Sequence, residues 1–261
     1  MNKFYIQIFF FLLSVSVYLN NKTLATAPDI GMAKKIKIKK RWDTPKEIYI
    51  KNKDLLCANP NEITNAVKLM NEAATHLEHH ATCKDGYKPW RWNSQLNNVL
   101  YKKKHGDTVV QKMNLNYYHV HTYDKITNIL WDPALANKFN RGSVKTAKFD
   151  ISEDKTIIVM ASANINDGYN SKKKYKNTII ENANVFKTQI NSEHYIRNGI
   201  LKKTFVNIAG YILERTRAYV NITYLESIDG HTSNYRELIN VRNLNNFFIL
   251  IKNGLYKFLE S

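Results

Sequence analysis

The chain has 261 residues, a net charge of +17 and only two cysteines. That length suits one domain of ordinary size plus a leader, and no segment after the leader is apolar for long enough to span a bilayer. Two cysteines without CxxC spacing exclude a cysteine-based metal centre, and the scattered positive charge (Lys102 to Lys104, Lys172 to Lys174, Lys202 and Lys203) reads as a solvated surface.

Residues 1–25 read as a cleaved signal peptide. Lys3 supplies the positive start, Phe4 to Val17 is nearly all apolar, and Thr23-Leu24-Ala25 offers small residues for cleavage. Their removal takes Lys3 and Lys22 but no acid, leaving +15. Residues 26–46 form a basic linker without helical periodicity. A helix is predicted over Pro60 to Ala81, with Asn59 as cap, Pro60 at the first helical position and Glu62 three residues after the cap. Its apolar stripe is Ile63, Val67, Met70, Ala74 and Leu77. A straight helix of that length, roughly 33 Å at 1.5 Å per residue, separates Cys57 from Cys83. Both are expected to be free or paired to another chain.

Gly86 to Trp92 is a turn-rich aromatic segment. Val99 to Lys104 and Thr108 to Tyr118 read as a hairpin about His105-Gly106-Asp107, with Val109, Met113 and Leu115 on one face. Tyr123, Ile126 and Leu130 mark a short helix ending at Trp131-Asp132-Pro133. Thr156 to Asn164 is a buried-type strand, and Asn177 to Gln189 is ambiguous between helix and strand. Phe205 to Leu213 and Tyr219 to Ile228 form a second hairpin linked by Arg215-Thr216-Arg217-Ala218. In its second strand Val220, Ile222 and Tyr224 point one way, and Asn221, Thr223 and Ser227 the other. A last helix is predicted from near Ser233, striped by Val241, Leu244, Phe248, Ile251, Leu255 and Phe258. Two long antiparallel strands followed by such a helix are how a helix-grip fold ends: an α+β arrangement in which a curved antiparallel sheet wraps a long C-terminal helix and encloses an apolar tunnel.

Candidate chemistry is sparse. His76 and His80 have the spacing of two metal ligands on one helix face, but Glu78 is not placed as in HExxH and no third ligand is evident. The histidines are therefore read as surface groups favoured by the helix dipole, and no metal or cofactor is expected. No GxSxG, catalytic-cysteine signature, Gly-rich phosphate loop or paired carboxylates appear, so the chain is read as non-enzymatic.

Several literal strings carry a resemblance. EIYIKNKDLLCANP, NEAATHLEHHA, SEDKTIIVM, FVNIAGYILE and ESIDGHTS resemble the secreted Plasmodium fam-a proteins over roughly Glu47 to Ser261. The resemblance implies a START-like lipid-binding domain over 47–261, secreted and exported to the host cell. It implies a phosphatidylcholine-type phospholipid as ligand, transient contact with a membrane surface, no nucleic acid and a monomer. Tunnel-lining candidates are Trp131, Tyr211, Tyr224, Phe247, Phe248 and Ile251. Members of that family carry a strand-rich stretch between a GSVK-like and an ISEDK-like string. Here only Thr146 to Asp150 separates Gly142-Ser143-Val144-Lys145 from Ile151, so central strands are expected to be missing. The rival expectation is a non-enzymatic host-surface interaction protein that keeps the fold without a working tunnel.

Overall fold

The computed structural model describes residues 6–10, 44–51, 53, 59–93, 96–131, 145–166, 176–189, 198 and 205–229. Thr44 opens the first helix, α1 (Pro45–Lys51), two residues inside the stretch read as linker. The cap is reciprocal: the Thr44 N–H donates to Glu47 Oε2 at 2.7 Å and the Glu47 N–H donates to Thr44 Oγ1 at 3.3 Å.

The helix α2 (Pro60–Thr82) begins where its cap predicts, with Asn59 accepting from the Asn61 and Glu62 N–H groups. Its buried residues are Ala66, Leu69, Met70, Ala73, Leu77 and His80. The packed stripe is thus rotated from the expected one. Ile63 is exposed, and Val67 and Ala74 are half-buried. Small alanines at 66 and 73 let the helix lie close to the sheet, so they win the inner positions over the bulkier Ile63.

Among the described residues ten strands follow in chain order: β1 (Ile6–Phe10), β2 (Lys88–Asn93), β3 (Asn98–His105), β4 (Thr108–Tyr117), β5 (Lys145–Ser152), β6 (Lys155–Ala161), β7 (Asn164–Asn166), β8 (Lys187–Gln189), β9 (Phe205–Arg215) and β10 (Val220–Asp229). Eight form one antiparallel sheet in the order β1-β5-β6-β9-β10-β4-β3-β2, while β7 and β8 pair in parallel. Ile6–Phe10, inside the stretch read as a leader, pairs with β5, so cleavage there leaves β5 as the sheet's end strand. Register shifts at Pro89/Arg91, Asp150/Ser152 and Ser227/Ile228 bend individual strands.

One segment departs from the sequence reading: Lys88–Asn93 is a strand rather than a turn-rich segment, pairing Arg91 and Trp92 with β3 and leaving Trp90 at a bulge. Thr146 to Asp150, the five residues that separate the two family strings, lies inside β5 and pairs residue by residue with β6. The short spacing therefore does not interrupt the ladder. The ambiguous Asn177 to Gln189 divides into a four-residue helix, α4 (Asn182–Val185), and β8. A carboxylate pins it: Glu72 on α2 accepts from the Glu181 and Asn182 backbone N–H groups at 2.7 and 2.9 Å.

Two cores lie on the two sheet faces. On one, Leu69, Met70, Ala73 and Leu77 of α2 meet Val110, Ile157, Val159, Ile208, Ile212 and Leu225. On the other, the helix α3 (Tyr123–Trp131) packs Ile126, Ile129, Leu130 and Trp131 over Met113, Leu115, Ile158, Leu213 and Ile222. The architecture is the expected α+β class, an antiparallel sheet with helices on its faces. The predicted C-terminal helix lies outside the described residues.

The end of α2 is closed by a buried cation. Lys112 Nζ, on β4, donates to the carbonyls of His80, Ala81 and Cys83 at 3.2, 3.3 and 2.6 Å and sits 4.0 Å from the centre of the Tyr87 ring. These carbonyls have no partner further along the helix, so a lysine answers both their hydrogen bonding and the negative dipole end. Lys112→Met is expected to lower stability by about 2–3 kcal/mol, the range for charge-assisted hydrogen bonds lost at a buried site. Urea unfolding at neutral pH checks this.

Candidate functional site

The strand register assembles one wall on the α3 face. Arg91 pairs with Leu100, Leu100 with Met113, Met113 with Tyr224, Tyr224 with Tyr211, and Tyr211 with Ile158. Directly paired residues in an antiparallel sheet point to the same face, so this is a continuous row across six strands. The next row, two residues along each strand, is Lys88, Lys102, Gln111, Glu226, Ala209 and Met160. The row on the other side is Leu115, Ile222, Leu213 and Thr156. An apolar and aromatic middle is thus bordered at one end by cations, an amide and a carboxylate.

Of the predicted lining residues, Tyr211, Tyr224 and Trp131 belong to one buried cluster on this face. The Tyr211 and Tyr224 rings are tilted against each other with centroids 5.1 Å apart. The Tyr224 hydroxyl donates to Glu226 Oε2 at 2.6 Å, crossing from the apolar row to the polar one. Burial pushes both tyrosine hydroxyls up, with the Glu226 carboxylate adding to it, so both stay neutral and available as donors. Trp131, expected near an entrance, is fully packed at the end of α3. Phe247, Phe248 and Ile251 lie outside the described residues.

Sequence reasoning missed the polar row. Lys102, Gln111 and Glu226 come from three strands and meet only through register. The signal available was the two-residue spacing from Tyr224 to Glu226 in an alternating strand, which puts a carboxylate beside an aromatic on the same face. Beneath this row the Lys102 ammonium lies 4.8 Å from the centre of the Trp90 ring. Trp90 Nε1 is buried without a hydrogen-bond partner among the described residues, at a cost of about 1–3 kcal/mol that a ligand acceptor would recover. Lys102 and Glu226 stand two strands apart, about 10 Å between backbones, so opposite charges face one another across Gln111.

The other end of the α3 face is fastened by polar contacts. The Tyr123 hydroxyl donates to Thr156 Oγ1 at 2.8 Å, and Thr156 Oγ1 donates in turn to Asp150 Oδ1 at 3.1 Å. The Arg215 guanidinium lies over the Tyr123 ring at 5.3 Å and bonds Asp154 Oδ1 at 2.6 Å. α3 is therefore anchored where its chain begins.

The histidine group sits on the opposite sheet face. His80, read as a surface residue, is 1% exposed. It is enclosed because α2 ends against the β3–β4 hairpin and Tyr87. Its Nδ1 is 3.0 Å from the Tyr87 hydroxyl and its ring 5.1 Å from that of His105. Its Nε2 is buried without a hydrogen-bond partner among the described residues. Burial, then the neighbouring His105, His79 and Lys103, pull its pKa down to about 4. Among the described residues no group of three or more His, Cys, Asp or Glu side chains is placed to hold a metal ion. Cys83 is a free thiol there, and Cys57 lies outside the described residues. Among the described residues, too, no helix is long and apolar enough to cross a membrane.

No protein-family model and no curated relative matches the sequence. Among solved structures, the chain is similar to human StAR-related lipid transfer protein 5. The two share 9% identity over 75% of this chain and 98% of that one, with a TM-score of 0.49. It is similar to human STARD10 at 11% identity, over 72% of this chain and 77% of that one, with a TM-score of 0.37. It is similar also to the lipid transfer and protein localization domain of human StarD13 (DLC2), at 10% identity, over 70% and 91%, with a TM-score of 0.28.

Proposed function

We propose that this protein is a non-catalytic lipid carrier of the START-like, fam-a type, secreted and exported to the host cell. It shelters one phosphatidylcholine-type phospholipid as a monomer and exchanges it at a membrane surface. The observation that supports this best is the α3 face, where an apolar row through Leu100, Met113, Tyr224, Tyr211 and Ile158 runs beside the polar row Lys102, Gln111 and Glu226. Acyl chains suit the first row. A headgroup bearing both a phosphate and an ammonium suits the second, with the anion toward Lys102 and the unpartnered Trp90 Nε1 and the cation toward Glu226.

Mass spectrometry of lipid co-purifying with the folded protein, beside an unrelated control, tests the reading. A stoichiometric phospholipid is expected. A folded, lipid-free monomer would instead favour an interaction protein that keeps the fold without a tunnel. Ala209 sits on the polar row between Glu226 and Met160. Ala209→Trp should fill the space beside the headgroup and weaken uptake of a fluorescent phosphatidylcholine at least about tenfold, the effect of 1.4 kcal/mol. Its circular dichroism should stay that of the parent.

A further inference from the structure

The β2–β3 edge of the sheet combines features that ordinary surface design keeps apart. No acidic residue lies between Asp85 and Asp107, whereas Lys88, Arg91, Lys102, Lys103 and Lys104 all do. Lys88 is paired directly opposite Lys102, an arrangement of like charges that costs stability in a sheet. Register puts Lys88, Arg91, Lys102 and Lys104 on the α3 face, and all four are exposed. None of them is paired with a carboxylate among the described residues. On the same strand, which ends the sheet, Trp92 is 58% exposed, and its pairing with Val99 puts it on the opposite, α2 face. Lysines alone would be explained as guards against edge pairing. An exposed tryptophan on the same edge strand is not, because it raises the apolar exposure that such guards limit.

We infer that this edge, met end-on, is a docking surface for an anionic bilayer, with Lys88, Arg91, Lys102 and Lys104 contacting acidic headgroups on one side of the edge and Trp92 entering the interface from the other. Charge complementarity selects the sign of the partner. The indole selects a partner with an apolar layer beneath its charge, since tryptophan is favoured where one side is apolar and the other wet. The choice of a membrane over another polyanion also rests on the lipid-carrier reading. The basic residues lie on the face that carries the Tyr211–Tyr224 wall, with Leu100 and Met113 between, so a bilayer held at this edge adjoins the row that acyl chains would follow.

Sedimentation of the full chain with vesicles tests the proposal, using phosphatidylcholine alone and phosphatidylcholine with about a third phosphatidylserine. Binding is expected to the anionic vesicles, to weaken with salt, and to fall about thirtyfold in Arg91→Gln/Lys104→Gln, each basic residue near such a surface contributing about fivefold. Trp92→Ser should reduce binding further and remove a blue shift of tryptophan emission on vesicles. Unchanged binding in the double variant would overturn the proposal. So would equal, salt-indifferent binding to both vesicles, or a preference of the parent for single-stranded DNA over anionic vesicles that the same variants abolish. The two readings fail separately: variants that still co-purify with lipid but no longer sediment locate docking apart from carriage. A lipid-free parent that sediments leaves the docking surface standing and removes the carrier.

Discussion

Gly210→Val should unfold the protein or lower its stability by about 3 kcal/mol or more, the upper range for overpacking a core. Gly210 is in β9, on the face that α2 covers, against Leu77. A Cβ built there runs into the carbonyl oxygen of Ile158 and stands 3.0 Å from both Leu77 Cδ2 and Val159 Cα. Two of these three obstacles are backbone of the neighbouring strand, which cannot swing aside as a side chain can. Relief requires β6 and β9 to part or α2 to lift, and either breaks the packing of Leu77 with Val159 and Ile212. Gly210→Ala should show the same direction at about 2 kcal/mol. Chemical denaturation with both variants checks the order: an alanine as stable as glycine would mean that the helix and sheet are not in the close contact described.

That glycine shows what was readable in the sequence. The run Phe205 to Leu213 was legible as a strand from its β-branched residues, and Ala209-Gly210 stood out as small, but only the register with Ile158 and Val159 explains why glycine is needed. The β9–β10 hairpin was legible for a local reason. Alternation of Val220, Ile222 and Tyr224 fixes a face, and Thr216 closes the turn by donating its N–H to the Tyr219 carbonyl at 2.9 Å. The Asn59 cap was equally local. What failed to be legible was non-local. The α2 stripe came out rotated because burial was decided by how near the helix could lie. β2 was missed because its only alternation, Trp90-Arg91-Trp92, is three residues long and follows Pro89, and the segment is held as a strand by β3 across a bulge. Tyr211 and Tyr224 could be nominated as aromatics on long strands, whereas Lys102, Gln111 and Glu226 could not, since their proximity exists only across three strands.

His80 provides the second large effect, and it is one of pH. The imidazole is buried among positive neighbours: His76 and His79 on its own helix, Lys103 and His105 on β3, and Lys112 on β4, with Tyr87 and Cys83 closing the turn. Burial is the leading cause of its pKa falling from 6.5 to about 4, and the cations add to it. The folded protein therefore holds fewer protons at this site than the unfolded chain does between those values. Stability from His80 is full above about pH 6.5, declines as pH falls, and stops declining once the native imidazole protonates near pH 4. At 1.36 kcal/mol per pH unit this amounts to about 3 kcal/mol. The carboxylates add their own acid sensitivity, so the test is a difference. His80→Asn, whose amide stands where Nδ1 bonds Tyr87, should lose some stability at pH 7.5 but show a flatter fall between pH 6.5 and 4.5 in urea midpoints. Parallel slopes for parent and variant would mean that His80 is already solvated in the native state. A flatter variant slope would place the acid weakness at the closure of α2, where a protonated imidazole would be held against His105, His79 and Lys103.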